Sequence, residues 1–153
     1  TWAQETLDKL DYVVPPTATS VATFGVVVIR ARQFDVWVTE FLDAHPDGAT
    51  VLHLACGLDS RALRLNWNKN TRWIDVDLPE VVALRRQVVP VPEQRDYQLL
   101  ATSVTEPHWL DEIPADRPTL VIMEGLALYL DPADVEFLLK RVCDRFPTGQ
   151  IVL

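Results

Sequence analysis

At 153 residues, with 48% hydrophobic and 24% charged side chains, the chain has the size and composition of one globular domain. Its formal net charge of -8 repels a phosphate backbone and no Lys/Arg run offsets it locally, which argues against a nucleic-acid partner. No apolar run reaches the roughly 18 to 20 residues a spanning helix needs, so no membrane partner is expected either.

The opening residues show no basic stretch leading into an apolar one, so no secretory leader is expected in what is present, although Thr1 rather than Met leaves room for residues ahead of it. Cys56 and Cys143 lie far apart, and the first sits beside a glycine turn, which suits reduced thiols in a cytoplasmic protein. His45, His53 and His108 share no metal-ligand spacing with each other or with the cysteines, and no metal is expected.

Trp2 to Tyr12 reads as a short amphipathic helix, set apart by Pro15-Pro16. From Thr17 to Ala44 the pattern is helical, clearest where Phe34, Trp37, Val38, Phe41 and Leu42 fall at i, i+3, i+4, i+7 and i+8. His45-Pro46-Asp47-Gly48 stops it. Residues 1 to 48 are expected to form a helical segment packed on a core of residues 49 to 153, the two making one domain.

Four apolar runs with strand character follow, Thr50 to Ala55, Arg72 to Val76, Tyr97 to Val104 and Thr119 to Met123. Between them lie the helix-compatible Ser60 to Leu65 and Pro79 to Val89, then a Pro-rich connection from Pro107 to Pro118. This alternation predicts an α/β fold, doubly wound on a mostly parallel sheet. In the last helix Asp131 can cap, Pro132 fits the first turn, and Val135, Leu138, Leu139, Val142 and Phe146 form one apolar stripe. Gly149 is expected to end it, and Gln150 to Leu153 reads as the opening of a fifth strand. An apolar strand left open at a sheet edge is a hazard, so further chain is expected beyond it.

The chemistry is expected where strands end. After the first strand, Leu54-Ala55-Cys56-Gly57-Leu58-Asp59-Ser60-Arg61 is a small-residue turn that lets a ligand approach the backbone, though such turns are common in any α/β protein. A dinucleotide-binding G-x-G-x-x-G and a P-loop Lys-Ser/Thr are both absent. Twenty positions after Gly57 comes Asp77, at the end of the second strand, where a carboxylate can accept both ribose hydroxyls of an adenosine. Asp75 shares its face but lies further from the crevice, which makes Asp77 the better candidate; a solvated helix-capping role before Pro79 is the alternative. Glu124, between apolar strand residues and Gly125, needs either a ligand or an arginine to offset its desolvation. Cys56 stands where a thiolate would be favoured, but no histidine is placed as its base, and it reads as a small buried hydrophobe. His53, inside an apolar strand, reads as a satisfied core residue.

Three segments in order, Ala55 to Leu65 (ACGLDSRALRL), Trp73 to Val81 (WIDVDLPEV) and Glu124 to Leu130 (EGLALYL), resemble the signature of the leucine carboxyl methyltransferase family. Ile29 to Asp35 (IRARQFD) resembles that family's arginine-bearing segment ahead of the first strand. The resemblance implies S-adenosyl-L-methionine as cofactor and methyl transfer to a carboxylate or hydroxyl oxygen of a small-molecule acceptor. The family's bacterial branch includes polyketide-tailoring O-methyltransferases, so the resemblance suggests secondary metabolism as the setting of that acceptor.

Residue by residue, it implies that Arg30 meets the cofactor's methionine carboxylate, that Gly57 lines the turn and that Asp77 holds the ribose. Ser103 and Val104 would border the adenine and Glu124 would face the cofactor. Ala55, Cys56, Leu78 and Gly125 complete the expected cofactor-binding set, while Arg32 reads as a surface residue. No catalytic residue is indicated. Relatives usually show Gly-Ala-Gly where this chain has Ala55-Cys56-Gly57, a departure that could narrow the approach to the cofactor. Two rival readings remain at this stage: a non-catalytic cofactor-binding or interaction module, and an NAD-dependent oxidoreductase of similar layering. The oligomeric state is not legible.

Overall fold

The structure is a computed structural model and describes residues 2–10, 21–92 and 96–153. In chain order the elements are α1 (Trp2–Leu7), α2 (Val21–Ala44), β1 (Ala49–Leu54), α3 (Arg61–Arg64), β2 (Thr71–Asp77) and α4 (Pro79–Val88). They continue with β3 (Asp96–Ala101), β4 (Thr119–Ile122), α5 (Pro132–Arg145) and β5 (Gly149–Val152). The Pro15-Pro16 break and the Thr17 to Ser20 start of the second helix lie outside the described residues, as do Asp11 and Tyr12 of the first.

The five strands form one parallel sheet in the order β3-β2-β1-β4-β5. From β1 the chain steps outward to β2 and β3, then returns to the other side of β1 for β4 and β5. That reversal makes the carboxyl ends of β1 and β4 the point where such sheets open a crevice.

Both faces are covered. On one, Val51, Trp73, Leu120 and Ile122 meet Phe34, Val38, Phe41 and Leu42 of α2 together with Ala62 of α3. On the other, Leu52, Leu54, Ile74, Val76, Val121 and Met123 meet Leu138 and Val142 of α5. This is the doubly wound architecture expected, and double-sided burial is why the strands read as nearly continuous apolar runs. Trp37 departs from the predicted stripe: it stays 37% exposed, edge-on to Phe34 at 5.4 Å.

Four local expectations are corrected. The third strand ends at Ala101, not Val104, because the Ser103 hydroxyl accepts the Thr105 amide and turns the chain, after which Val104 drops into the core. The Pro-rich connection holds a 3-10 turn, Trp109–Glu112, and inserts Trp109, Leu110 and Ile113 beneath the sheet beside α5. Asp131 makes no side-chain cap; its carbonyl accepts the Asp134 and Val135 amides instead, with Pro132 in the first turn. Gly149 does not end α5, which stops at Arg145, but opens β5 opposite Thr119, where a side chain would strike the Thr119 backbone. Among the described residues, no helix is long and apolar enough to cross a membrane.

Candidate functional site

The turn after β1 is held in a shape that few residues adopt. Ala55 and Gly57 both have φ of 51°, in the left-handed region, and for an alanine that conformation costs roughly 1 to 2 kcal/mol. Neighbouring strands hold part of the turn: the Cys56 amide donates to the Val76 carbonyl, and the Gly57 amide donates to Asp77 Oδ2 at 2.6 Å. A side chain at Gly57 would meet nothing within 4 Å, so the space over the turn is open.

Asp77 joins this turn to β2. Its second oxygen accepts the Leu78 amide at 2.8 Å, and its carbonyl accepts the Thr102 amide from the end of β3. A carboxylate offers about four lone-pair sites, so two amides leave room for a pair of ligand hydroxyls. Asp75, on the same strand, is different. It is fully buried and accepts from Trp73 Nε1, Arg85 Nη2 and the Tyr97 hydroxyl, with His53 Nδ1 3.3 Å away. Leu78 presents a partly exposed apolar side chain at the rim.

Glu124 leaves the end of β4 and meets two arginines. Arg30 Nε donates to its Oε1 and Arg61 Nη2 to its Oε2, each at 2.8 Å. The fold thus brings Arg30, from α2, onto Glu124 and Gly125, where φ is 71° and a Cβ would lie 3.7 Å from Arg30 Nη2. Arg30 remains half exposed while Glu124 is largely covered.

Sequence reasoning missed Arg61. This guanidinium is fully buried: Nε donates to Asp35 of α2 at 2.7 Å, Nη1 lies 3.3 Å from Asp59, and its Cζ sits 5.7 Å from the Phe34 ring centre. Arg64 adds bonds to Asp35 and Asp59. Burial alone would raise the Asp59 carboxyl, but the charges of His53, Arg61 and Arg64 outweigh it and hold it below the ordinary carboxylate range. The available signal was three acids, Asp35, Asp59 and Glu124, set in apolar surroundings, which require cations nearby.

His53 is the satisfied core residue expected, between Asp75 and Arg61, whose Nη1 is 3.5 Å from its Nε2. Cys56 is buried, and burial together with the Asp75 charge pushes its thiol well above the ordinary range. It is no nucleophile at neutral pH. Alkylation of native protein at pH 8 should modify the exposed Cys143 and spare Cys56; a mass spectrum showing equal labelling would contradict this placement.

Ser103, past the end of β3, shares a 2.7 Å hydrogen bond with Thr105. Val104 points its side chain into the core and gives its carbonyl to Trp109 Nε1, so only its backbone is left to face a ligand. Arg32 is exposed on α2 and lines a hollow of about 620 Å³ beside the turn, with Val28, Leu58 and Ser60. A second hollow, of about 660 Å³, lies at the opposite, amino ends of the strands, around Gly48, Lys69 and Arg117.

An adenosyl amino acid suits this donor set. It has two vicinal hydroxyls that Asp77 could accept and an ammonium and a carboxylate opposite in charge to Glu124 and Arg30, and the space directly over Gly57 is open.

The profile of the leucine carboxyl methyltransferase family matches residues 2–143. The tetracenomycin polyketide synthesis O-methyltransferase TcmP of Streptomyces glaucescens is 45% identical over 150 residues, 98% of this chain and 54% of that protein. The S-adenosyl-L-methionine-dependent methyltransferase dpfgK of Gibberella zeae is 44% identical over 127 residues, 80% of this chain and 43% of that protein. The chain therefore spans about half the length of these curated relatives. Among solved structures, a candidate methyltransferase from Thermobifida fusca YX aligns with a TM-score of 0.61 at 21% identity, over 80% of this chain and 50% of that one. The glycopeptide N-methyltransferase MtfA, complexed with sinefungin, aligns with a TM-score of 0.50 at 19% identity, over 76% and 47%. At that identity the two structures speak for the fold. With the family profile running from Trp2 to Cys143, the chain belongs to the leucine carboxyl methyltransferase family.

Proposed function

We propose that this chain provides the cofactor site of an S-adenosyl-L-methionine-dependent O-methyltransferase whose acceptor is a small molecule with a carboxylate or hydroxyl oxygen. The observation that carries the reading is the Asp77–Gly57 bond at the carboxyl ends of β1 and β2, beside the Arg30–Glu124 pair at the end of β4. Family membership and the polyketide O-methyltransferase relative favour an oxygen acceptor.

In this reading Asp77 accepts the ribose hydroxyls, and Leu78 and Ser103 flank the adenine along with the Val104 backbone. Gly57 keeps the turn open, with Ala55 and Cys56 shaping it. Arg30 takes the carboxylate of the methionine part while Glu124, beside Gly125, takes its ammonium, so the two exchange each other for the ligand. Residues 1 to 48 supply Arg30 to the core of residues 49 to 153, the whole acting as one domain.

The bound cofactor supplies a methyl already activated on a sulfonium. The chain's own contribution is therefore binding and orientation, which for well-placed reactants is worth roughly 7 to 11 kcal/mol. A carboxylate acceptor is ionised at neutral pH and needs no proton removed; a hydroxyl acceptor needs a base.

The test is Asp77→Ala in the natural full-length protein. Calorimetry with S-adenosylhomocysteine should show affinity reduced by about 1 to 3 kcal/mol, the range for hydrogen bonds to a charged acceptor. Unchanged affinity would mean that another group holds the ribose.

A further inference from the structure

Arg85 of α4 is 2% exposed and makes three bonds that nothing in the cofactor reading requires. Its Nη2 donates to Asp75 at 2.7 Å, and its Nη1 donates both to the Gly57 carbonyl at 2.9 Å and to the Asp59 carbonyl at 2.6 Å. One buried guanidinium, anchored on a buried carboxylate, thus holds two carbonyls of the turn that follows β1. The carbonyl and amide of a planar trans peptide point in opposite directions, so drawing these two oxygens toward Arg85 aims the amides of Leu58 and Ser60 away from it. The same turn carries Ala55 in the left-handed region, a conformation that persists only where surrounding structure over-determines it.

We propose that Arg85 is a positioning residue of the cofactor site, clamping the Gly57–Asp59 backbone from beneath and holding Ala55 in its left-handed conformation, where glycine would need no such restraint. The proposal builds on the cofactor reading for what the turn binds, but the clamp itself is a property of the chain. Lysine at this position keeps a charge opposite Asp75 yet lacks the planar fork that reaches two carbonyls and a carboxylate together.

The experiment compares wild type, Arg85→Gln, Arg85→Lys and Arg85→Lys with Ala55→Gly, all in the full-length protein. Amide exchange is followed at Gly57 and Asp59, whose amides bond to Asp77 and to the Cys56 carbonyl. Exchange at these two sites should accelerate at least about 10-fold in both single variants while β1 and β2 amides keep wild-type rates. S-adenosylhomocysteine should bind about 10- to 100-fold more weakly, as displacement of a positioning element produces. Ala55→Gly should restore most of both losses in the lysine background, because glycine removes the strain the clamp opposes. If Arg85→Gln does not fold, Arg85→Lys carries the comparison.

Wild-type exchange at Gly57 and Asp59 in the folded variants overturns the clamp. So does acceleration spread evenly over the sheet, the mark of a merely structural arginine. Exchange decides the clamp whether or not the wild type binds S-adenosylhomocysteine, so failure of the cofactor reading is separable from failure of this one.

Discussion

Replacing Arg61 with methionine is expected to lower the unfolding free energy by about 3 kcal/mol, the lower end of the range for stripping one partner from a buried ion pair. The guanidinium has no exposure at all, and its loss takes one arginine from each of Asp35, Asp59 and Glu124, leaving Arg64 for the first two and Arg30 for the third. Those three carboxylates keep some contact with water, which holds the cost to the low end. The residue also ties α2, the turn and β4 to one centre, so the variant should weaken S-adenosylhomocysteine binding as well. Urea unfolding gives the measurement; a loss under about 1 kcal/mol would show that Arg64, Arg30 and solvent suffice for the three carboxylates.

Asp75→Asn should cost a similar amount, about 3 to 5 kcal/mol, because it leaves Arg85 charged and buried without a counter-ion. The wild-type carboxyl also gives the protein a pH signature. Burial would raise it, yet the His53 hydrogen bond and charge, with Arg85 and Tyr97, outweigh burial and hold it below the ordinary range. A carboxyl depressed in the folded state contributes stability that is complete above its unfolded value near about 3.9 and is lost as pH falls through the folded value. Wild type should therefore destabilise on acidification below about pH 4, and Asp75→Asn should lose stability less steeply there. Asp59 remains depressed in both proteins, so the slope shrinks rather than vanishes. Parallel acid limbs for the two proteins would mean Asp75 does not carry this charge.

Much of the fold was legible because parallel strands covered on both faces leave nearly continuous apolar runs, as Leu120 to Met123 does and as Val51 to Leu54 does apart from the buried His53. Asp77, Gly57 and Glu124 could be singled out as candidates for a related reason: Asp77 ends β2 and the other two lie just past the ends of β1 and β4, where a doubly wound sheet opens its crevice. Arg30 came from family resemblance, and its partner Glu124 lies 94 positions away. Arg61 and Arg85 stayed hidden because arginine is rarely buried, and their partners come from separate elements that no spacing rule connects. Trp109, Leu110 and Ile113 were hidden for the opposite reason, since prolines around a single 3-10 turn look like a surface loop while the side chains they carry fill the core. Val104 was misread because the strand alternation stops at Ala101, and the bend at Ser103 turns the next side chain inward.

The central claim is that the turn at Ala55 to Gly57, Asp77 and Glu124 surround one adenosyl amino acid. A crystal structure of the full-length protein grown with S-adenosylhomocysteine tests it most directly. It should show ribose hydroxyls within hydrogen-bonding distance of Asp77, the amino-acid end at Arg30 and Glu124, and the Arg30–Glu124 bond opened. Ligand density in the hollow around Gly48, Lys69 and Arg117 instead, with Arg30 still bound to Glu124, would contradict it.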